Sequence, residues 1–146
     1  MRLLLERWRK FINEEKKKIE SREEMEAIIR AEPNQEMNID APRGSKKRFG
    51  GKVRKELIFD YGEWPQYINP ADKMGWDFII VPSADRNTPN LLPVGNVVYA
   101  KEYKKKAGND KIIIAPNGVA TEADKETINT FFGEMEGRFV APEWYS

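Results

Sequence analysis

Residues 69–81 read NPADKMGWDFIIV. The proline and glycine of this stretch are typical of a turn, and its apolar end is typical of a buried strand. It therefore places two carboxylates, Asp72 and Asp77, at the edge of a strand on a rigid and exposed loop. Oxygen ligands in such a setting suit hard cations such as Mg²⁺. An ordinary polar turn with two surface aspartates fits the same spacing, so the stretch alone leaves both interpretations open.

Further short, β-branched runs lie on both sides of this stretch. They predict strands at residues 57–59, 96–99 and 111–114, in addition to residues 78–81. Segments rich in turn-forming residues separate the runs. Several short strands at this spacing favour a small β-barrel over alternating strand–helix units.

Helices are predicted at both ends of the chain. Residues 1–32 carry apolar side chains at helical spacing, and the capping-box pattern of Ser21–Glu24 predicts that a second helix begins there. A closing helix is predicted over residues 121–136, with Phe131 and Phe132 in contact with the strands. The expected fold class is therefore α+β.

A change in composition near residue 33 divides the chain into two parts. We expect an N-terminal helical extension at residues 1–33 and a β-barrel domain at residues 38–146. The extension carries large apolar side chains, among them Trp8 and Phe11. These side chains suit either packing on the barrel or contact with a partner protein or a second copy of the chain.

The amino-acid composition excludes several kinds of chemistry. The 146 residues include no cysteine and no histidine, which removes thiol nucleophiles, histidine-based catalytic triads and zinc sites built from these side chains. Carboxylates, lysine, arginine, tyrosine and hard metal ions remain. The net charge of +1 creates no global field toward nucleic acid or a membrane surface, so neither is expected as a partner. The apolar run Leu3–Leu5 is too short for a signal peptide or a membrane span, and a cytoplasmic location is expected.

Three more polar clusters accompany the predicted strands. Residues 39–49 combine backbone amides, cations and hydroxyls that could hold phosphate oxygens, or that could form a solvated basic loop. Residues 59–65 include Tyr61, which fits either the core or a ligand site. Residues 108–111 place an acid and a base at the start of a strand, which also suits a hairpin turn.

Taken in order, these clusters resemble the motifs of the soluble, Mg²⁺-dependent inorganic pyrophosphatases. Members of that family run Ile-Glu-Ile-Pro-x-Gly-Ser-x-x-Lys-Tyr, Asp/Asn-Tyr-Gly, Asp-Gly-Asp-Pro-x-Asp, Pro-x-Gly and Asp-x-Lys, and close with a helix carrying Phe-Phe. The counterparts in this chain are Ile39–Ser45 with Arg48 and Phe49, Asp60–Gly62, Asp72 and Asp77, Pro93–Gly95, Asn109–Lys111, and Phe131 with Phe132. The resemblance covers residues 38–138 and implies a small, closed, OB-like β-barrel of the pyrophosphatase type.

The resemblance also implies a function and a set of site residues. It implies hydrolysis of inorganic diphosphate, or of a related phosphoanhydride or phosphoester, with Mg²⁺ as the cofactor. The implied metal ligands are Asp40, Asp72, Asp77 and either Asn109 or Asp110. The implied catalytic residues are Tyr61, Asp77 and Lys111, and the implied phosphate-binding residues are Lys47, Arg48, Tyr61 and Lys111.

The chain departs from the family pattern in several places. Met74 stands where the family has the acid that orients the attacking water, and Lys104–Lys106 replace an acidic turn. Met135 and Glu136 stand where the family has a phosphate-binding Tyr-Lys pair. Little activity is expected from such a site unless Glu63, Glu102 or Glu134 substitutes for the missing acid. The departures keep a second hypothesis open: a catalytically degenerate pyrophosphatase-like module that binds a partner through its N-terminal helices.

Overall fold

The computed structural model describes residues 16–49, 53–100, 109–135 and 137–146. Within these residues the fold is mixed α+β, as the sequence predicts. The helices are α1 (Arg22–Ala31) and α2 (Glu122–Gly133). The strands are β1 (Lys17–Lys18), β2 (Asn38–Ala41), β3 (Lys46–Phe49), β4 (Val53–Glu56), β5 (Tyr61–Asn69), β6 (Met74–Ile80), β7 (Leu91–Val97), β8 (Lys111–Pro116) and β9 (Glu143–Trp144).

One sheet joins seven of the described strands. Its order is β1–β5–β6–β8–β7–β9, and β2 also pairs with β5. The β6–β8 pairing is parallel, whereas β5–β6, β7–β8 and β7–β9 are antiparallel. Strands β3 and β4 form a separate antiparallel hairpin.

The closed barrel expected from the sequence is not found in the described part of the chain. The sheet ends at β1 and β2 on one side and at β9 on the other, and no pairing among the described strands joins these edges. Strands β1 and β9 are two residues long, and each pairs with a single neighbour. Outer strands this short offer too few backbone groups to close a sheet on itself.

Aromatic rings connect α2 to the β3–β4 hairpin and to two segments that lie between the named strands. The ring of Phe131 lies 5.9 Å from that of Phe49 in β3 and 4.9 Å from that of Phe59. The ring of Phe132 lies 6.2 Å from that of Phe49 and 4.9 Å from that of Phe139. The predicted contact between α2 and the strands is therefore confirmed at β3, and the rings of Phe49, Phe59, Phe131 and Phe132 are buried in the core.

Both helices begin at the residues that the sequence predicts. The hydroxyl of Ser21 accepts a hydrogen bond from the backbone N–H of Glu24 at 3.1 Å. The hydroxyl of Thr121 accepts one from the backbone N–H of Asp124, also at 3.1 Å. Each hydroxyl satisfies a donor that the first turn of a helix leaves without a partner. Among the described residues, neither helix is long and apolar enough to cross a membrane.

Residues 16–20 are extended rather than helical, contrary to the prediction for residues 1–32. Strand β1 pairs in parallel with Tyr67 and Ile68 of β5. The backbone N–H of Ile19 then donates to the carbonyl of Ile68 at 2.9 Å. The edge of β5 satisfies these backbone groups and buries Ile19, which a helix at this point would not achieve.

Helix α1 packs into the same core as the strands. Its side chains Met25 and Ile29 are fully buried and belong to the single core cluster of the described residues. The described part of the expected extension, residues 16–33, is thus joined to the sheet by backbone pairing and by core packing. The predictions for residues 1–15, for Glu102 and for Lys104–Lys106 lie outside the described residues.

Two of the predicted strands differ from the structure. Residues 57–59 form a bend after β4, although Leu57 and Phe59 are buried. Their apolar character reflects burial against α2 and not pairing within a sheet. The strand predicted at residues 96–99 begins earlier, at Leu91, and ends at Val97. The strands predicted at residues 78–81 and 111–114 correspond to β6 and β8.

Candidate phosphate and metal site

A row of charged side chains crosses three neighbouring strands. Glu63 of β5 pairs with Asp77 of β6, and Asp77 pairs with Lys111 of β8. Residues that pair directly across a sheet present their side chains on the same face. Tyr61 lies two residues before Glu63 on β5 and therefore shares that face. The sheet thus brings together three of the site residues predicted from the sequence, Tyr61, Asp77 and Lys111.

Lys111 is a buried cation held by two of these neighbours. Only 2% of its surface is exposed. Its Nζ donates to the hydroxyl of Tyr61 at 2.7 Å and to Oδ2 of Asp77 at 3.3 Å. It also lies 5.0 Å from the ring centroid of Tyr61 and 5.1 Å from that of Tyr99. The ammonium group is therefore fixed in direction, with its charge compensated by Asp77.

Tyr61 keeps its proton at neutral pH. Burial, followed by the negative charge of Asp77, raises the pKa of Tyr61 well above its usual value. Lys111 donates to the phenolic oxygen, and the Tyr61 hydroxyl in turn donates its own proton to the carboxylate of Asp77. The ring packs edge-on against Phe49 with centroids 6.3 Å apart, which anchors it to the core.

Lys47 of β3 lies over the ring of Tyr61. Its Nζ lies 4.4 Å from the ring centroid of Tyr61 and 5.6 Å from that of Phe49. Partial burial and, next, the charge of Lys111 lower the pKa of Lys47. Within the described residues, no carboxylate forms a salt bridge with Lys47. A half-buried ammonium group that faces a second cation is well placed to receive an anion.

Arg48 points away from this site. Successive side chains of a strand alternate between faces, and in β3 Lys47 and Phe49 face inward whereas Lys46 and Arg48 are exposed. The structure thus places Lys47 at the site and Arg48 on the outer surface of the hairpin. The sequence contains a signal for this arrangement, because the aromatic side chain of Phe49 lies two positions after Lys47.

Four carboxylates interact electrostatically beside the lysines. We call Asp40, Glu63, Asp72 and Asp77 the acid cluster. Burial is the main cause that raises the pKa of Glu63, and the charges of Asp40, Asp77 and Asp72 raise it further. A hydrogen bond from the backbone N–H of Gly75 opposes that rise. Burial and the charge of Asp77 likewise raise the pKa of Asp40, and Lys47 opposes that rise.

The acid cluster draws its members from separate elements. Asp40 occupies the irregularity between the two paired positions Ile39 and Ala41 of β2. Asp72 lies in the turn between β5 and β6, where its Oδ1 accepts the backbone N–H of Met74 at 3.0 Å. Glu63 entered the sequence analysis only as a substitute acid. Its pairing with Asp77 places it within the site, and the two-residue spacing from Tyr61 is the sequence signal for that position.

Asp110 lies outside the acid cluster. Its Oδ2 accepts a hydrogen bond from Arg22 of α1 at 3.3 Å. Asn109 is 8% exposed, and within the described residues its Oδ1 has no hydrogen-bond partner. Of the two ligands that the sequence left open, Asn109 offers an oxygen to which no described residue donates, whereas the carboxylate of Asp110 is already engaged.

The donors of this site suit Mg²⁺ in kind, since they are carboxylate and amide oxygens. Within the described residues, however, no group of three or more acidic side chains is close enough to hold one ion. Mg²⁺ usually retains several waters and is bound by one or two carboxylates together with phosphate oxygens. The residues present therefore fit an ion shared with a phosphate ligand better than a site built from the protein alone.

Met74 occupies an exposed position at the start of β6. It is 60% exposed and therefore takes no part in the core.

Comparison of the chain with protein-family models, with curated proteins and with solved structures gives no match.

Proposed function

We propose that this site binds inorganic diphosphate, or a related phosphoanhydride or phosphoester, and hydrolyses it with Mg²⁺. The observation that carries the proposal is the position of two ammonium groups beside the acid cluster: that of Lys47 lies against the ring of Tyr61, and that of Lys111 donates to its hydroxyl. Opposite charges in two adjoining groups are what a metal–phosphate complex requires, because the cations face phosphate oxygens and the carboxylates face the metal.

Lys47 and Lys111 would bind the phosphate oxygens. Lys111 is fixed by Tyr61 and Asp77, so it loses little side-chain freedom when an anion binds. Lys47 has a half-buried charge that a phosphate oxygen would compensate. Charge spreads over the phosphoryl oxygens in the transition state, and cations fixed beforehand stabilise it without reorganisation.

Asp77 and Glu63 would hold Mg²⁺ from neighbouring strands, with Asp40, Asp72 and Oδ1 of Asn109 as further ligands or as partners of its waters. Bound Mg²⁺ would supply neutralisation of phosphate charge and activation of the attacking water. The Tyr61 hydroxyl remains protonated and donates to Asp77 in the free protein. With the ligand bound, it would turn from that carboxylate and donate to the oxygen that leaves when water attacks the other phosphorus.

The type of fold and the cellular location are part of the same proposal. The order of the motifs over residues 38–138 supports a pyrophosphatase-type fold, to which the mixed sheet and the packed α2 helix correspond in part. A chain without cysteine fits a cytoplasmic location.

A binding module without catalysis is the second candidate. Its support is the exposed Met74 at the position of the family's water-orienting acid, together with the lack of a three-carboxylate group among the described residues. Such a module would bind diphosphate through the two lysines and release no phosphate. It would contact a partner protein through the N-terminal helices, and the side chains expected to do so, among them Trp8 and Phe11, lie outside the described residues.

Phosphate release from diphosphate, measured with and without Mg²⁺, tests the proposal. We expect release by the wild-type protein only with Mg²⁺. We expect Lys47→Gln to lower the rate on the order of 100-fold, as removal of one fixed charge at such a site does. Arg48→Gln is the matched variant, because it removes a neighbouring cation from the outer face of the same strand, and it should leave the rate unchanged.

Three outcomes separate the candidates. Release that does not depend on Mg²⁺ would contradict the proposed chemistry. Equal losses in Lys47→Gln and Arg48→Gln would contradict the assignment of Lys47 to the site. Diphosphate binding that is lost in Lys47→Gln, with no release by the wild-type protein, would favour the binding module.

A further inference from the structure

Arg22, the first residue of α1, reaches the start of β8. Its Nη1 donates to Oδ2 of Asp110 at 3.3 Å, although the two residues are 88 positions apart in the chain. Both side chains are largely buried, with 18% and 19% of their surfaces exposed. Burial is the largest cause that raises the pKa of Asp110, and the charge of Arg22 opposes it. The ion pair thus compensates a charge that the fold has removed from water.

A second buried acid holds Arg22. Its Nε lies 3.5 Å from Oε1 of Glu26, a residue only 4% exposed. The hydroxyl of Tyr145 donates to the same oxygen of Glu26 and accepts from Nδ2 of Asn96, the latter at 2.9 Å. We call these residues, Arg22, Glu26, Asn96, Asp110 and Tyr145, the Arg22 network. It joins α1, β7 and the residues after β9 to the start of β8.

Stability alone does not account for such a network. Burial raises the pKa of both Glu26 and Asp110, which shows that their charged forms lose hydration. Replacing buried ion pairs with apolar side chains of similar volume is often neutral or stabilising. The ion pairs of Arg22 with Asp110 and Glu26 nevertheless restrict these side chains to one arrangement, although Arg22 Nε forms no hydrogen bond within the described residues.

The arrangement restricted here is that of the first residues of β8. Asp110 immediately precedes Lys111, the first residue of β8, so a fixed Asp110 side chain fixes the backbone at the point where the strand begins. With Asp110 held by Arg22, Lys111 faces Tyr61 and Asp77. A shift of one residue in the register of β8 would turn Lys111 away from Tyr61 and Asp77.

We propose that Arg22 is a positioning residue for the phosphate site: by holding Asp110, with Glu26 and Tyr145 behind it, Arg22 keeps the Lys111 ammonium group directed at diphosphate. This inference rests on the proposed function for the identity of the ligand. The effect on Lys111 itself does not depend on hydrolysis.

Calorimetric titration with diphosphate in the presence of Mg²⁺ tests the inference. We expect Arg22→Gln and Asp110→Asn each to weaken binding about tenfold. The double variant should be no weaker than either single variant, because both remove the same contact. Arg22→Lys, which retains the charge, should recover part of the affinity. Arg30→Gln is the matched control, because Arg30 contacts Glu26 from the same helix at 3.9 Å and is half exposed. It should bind diphosphate as the wild-type protein does.

The ¹⁵N resonance of Lys111 Nζ gives a second readout that needs no ligand. We expect it to move toward the position of a solvated lysine in Arg22→Gln and Asp110→Asn, and to stay in place in Arg30→Gln. Variants with a lower melting temperature but with wild-type affinity and an unchanged Lys111 signal would overturn the positioning role. Wild-type protein that binds no diphosphate would overturn the proposed function, and the Lys111 signal would then test the positioning role alone.

Discussion

Glu63 shows at the scale of one residue how the acid cluster acts on the fold. Its neighbours Asp40, Asp72 and Asp77 disfavour its ionised form, in addition to the effect of burial, and its pKa is raised above the usual 4.5. A carboxyl group of this kind stabilises the folded state fully only below its unfolded pKa. The contribution is lost as pH rises through the higher folded-state pKa. At neutral pH the ionised Glu63 therefore lowers stability, which is typical of a group retained for ligand binding.

We expect Glu63→Gln to raise the free energy of unfolding at about pH 7 by about 0.5 kcal/mol in the absence of metal. At about pH 4 the difference should nearly vanish, because Glu63 is then largely protonated. Denaturant unfolding at both pH values, with a chelator present, measures this effect. Glu126→Gln, on the exposed part of α2, removes the same charge away from the acid cluster and is the control. A destabilised Glu63→Gln protein at neutral pH would contradict the expectation.

The sequence identifies most of these residues but not which of two neighbours faces the site. It indicates the region of Lys47 and Arg48, and of Asn109 and Asp110, because those motifs carry the right chemistry. Which residue of each pair faces the site depends on the direction of its side chain, and packing and partners distant in sequence determine that direction. The buried ring of Phe49 determines it for Lys47, and the ion pair with Arg22 determines it for Asp110.

Strand β6 depends on a close approach to β5 at Gly75. A Cβ atom on this glycine would lie 2.7 Å from the carbonyl oxygen of Trp64 and 3.0 Å from Oε2 of Glu63. The glycine therefore allows two strands to pair and leaves room for one carboxylate of the acid cluster. Glycine is required here by the pairing of the two strands and not by the conformation of either strand alone.

We expect Gly75→Ala to lower the free energy of unfolding by roughly 1–3 kcal/mol, because backbone oxygen cannot move away as a flexible side chain can. Gly133→Ala is the matched control at the end of α2, where an added Cβ meets nothing within 4 Å. It should be neutral or stabilising by up to about 1 kcal/mol, since alanine favours helix. Thermal or denaturant unfolding of both variants measures the difference. Similar effects of the two substitutions would disprove the close approach.

Local signals explain why some elements could be predicted and others could not. The helix starts at Ser21 and Thr121 depend on contacts within four residues, and both are confirmed. The bend at residues 57–59 and the pairing of β1 depend on distant partners, namely the rings of α2 and the edge of β5. Sheet closure is likewise a property of the outer strands together, and no local pattern determines it.

For the whole molecule, the spacing of the acid cluster determines how metal and phosphate should act together. Within the described residues no three carboxylates converge on one point, and we therefore expect Mg²⁺ alone to change the melting temperature little. Mg²⁺ with a non-hydrolysable diphosphate analogue at 100 times its Kd should stabilise the protein by about 2.7 kcal/mol. Differential scanning calorimetry with each ligand alone and with both measures this. A large shift with Mg²⁺ alone would indicate a site completed by the protein without phosphate.

The place of β8 in the sheet has a consequence for the order of folding. Strands β5 and β6 form a hairpin that unites Glu63 and Asp77 early, because their contacts are local. Lys111 joins them only when β8 inserts between β6 and β7 and pairs in parallel with a strand 34 positions away. Closing a loop of that length is among the slower events of folding. The folding transition state would therefore lack the complete binding site of a ligand that all three residues hold. We expect diphosphate to slow unfolding and to leave the rate of refolding unchanged.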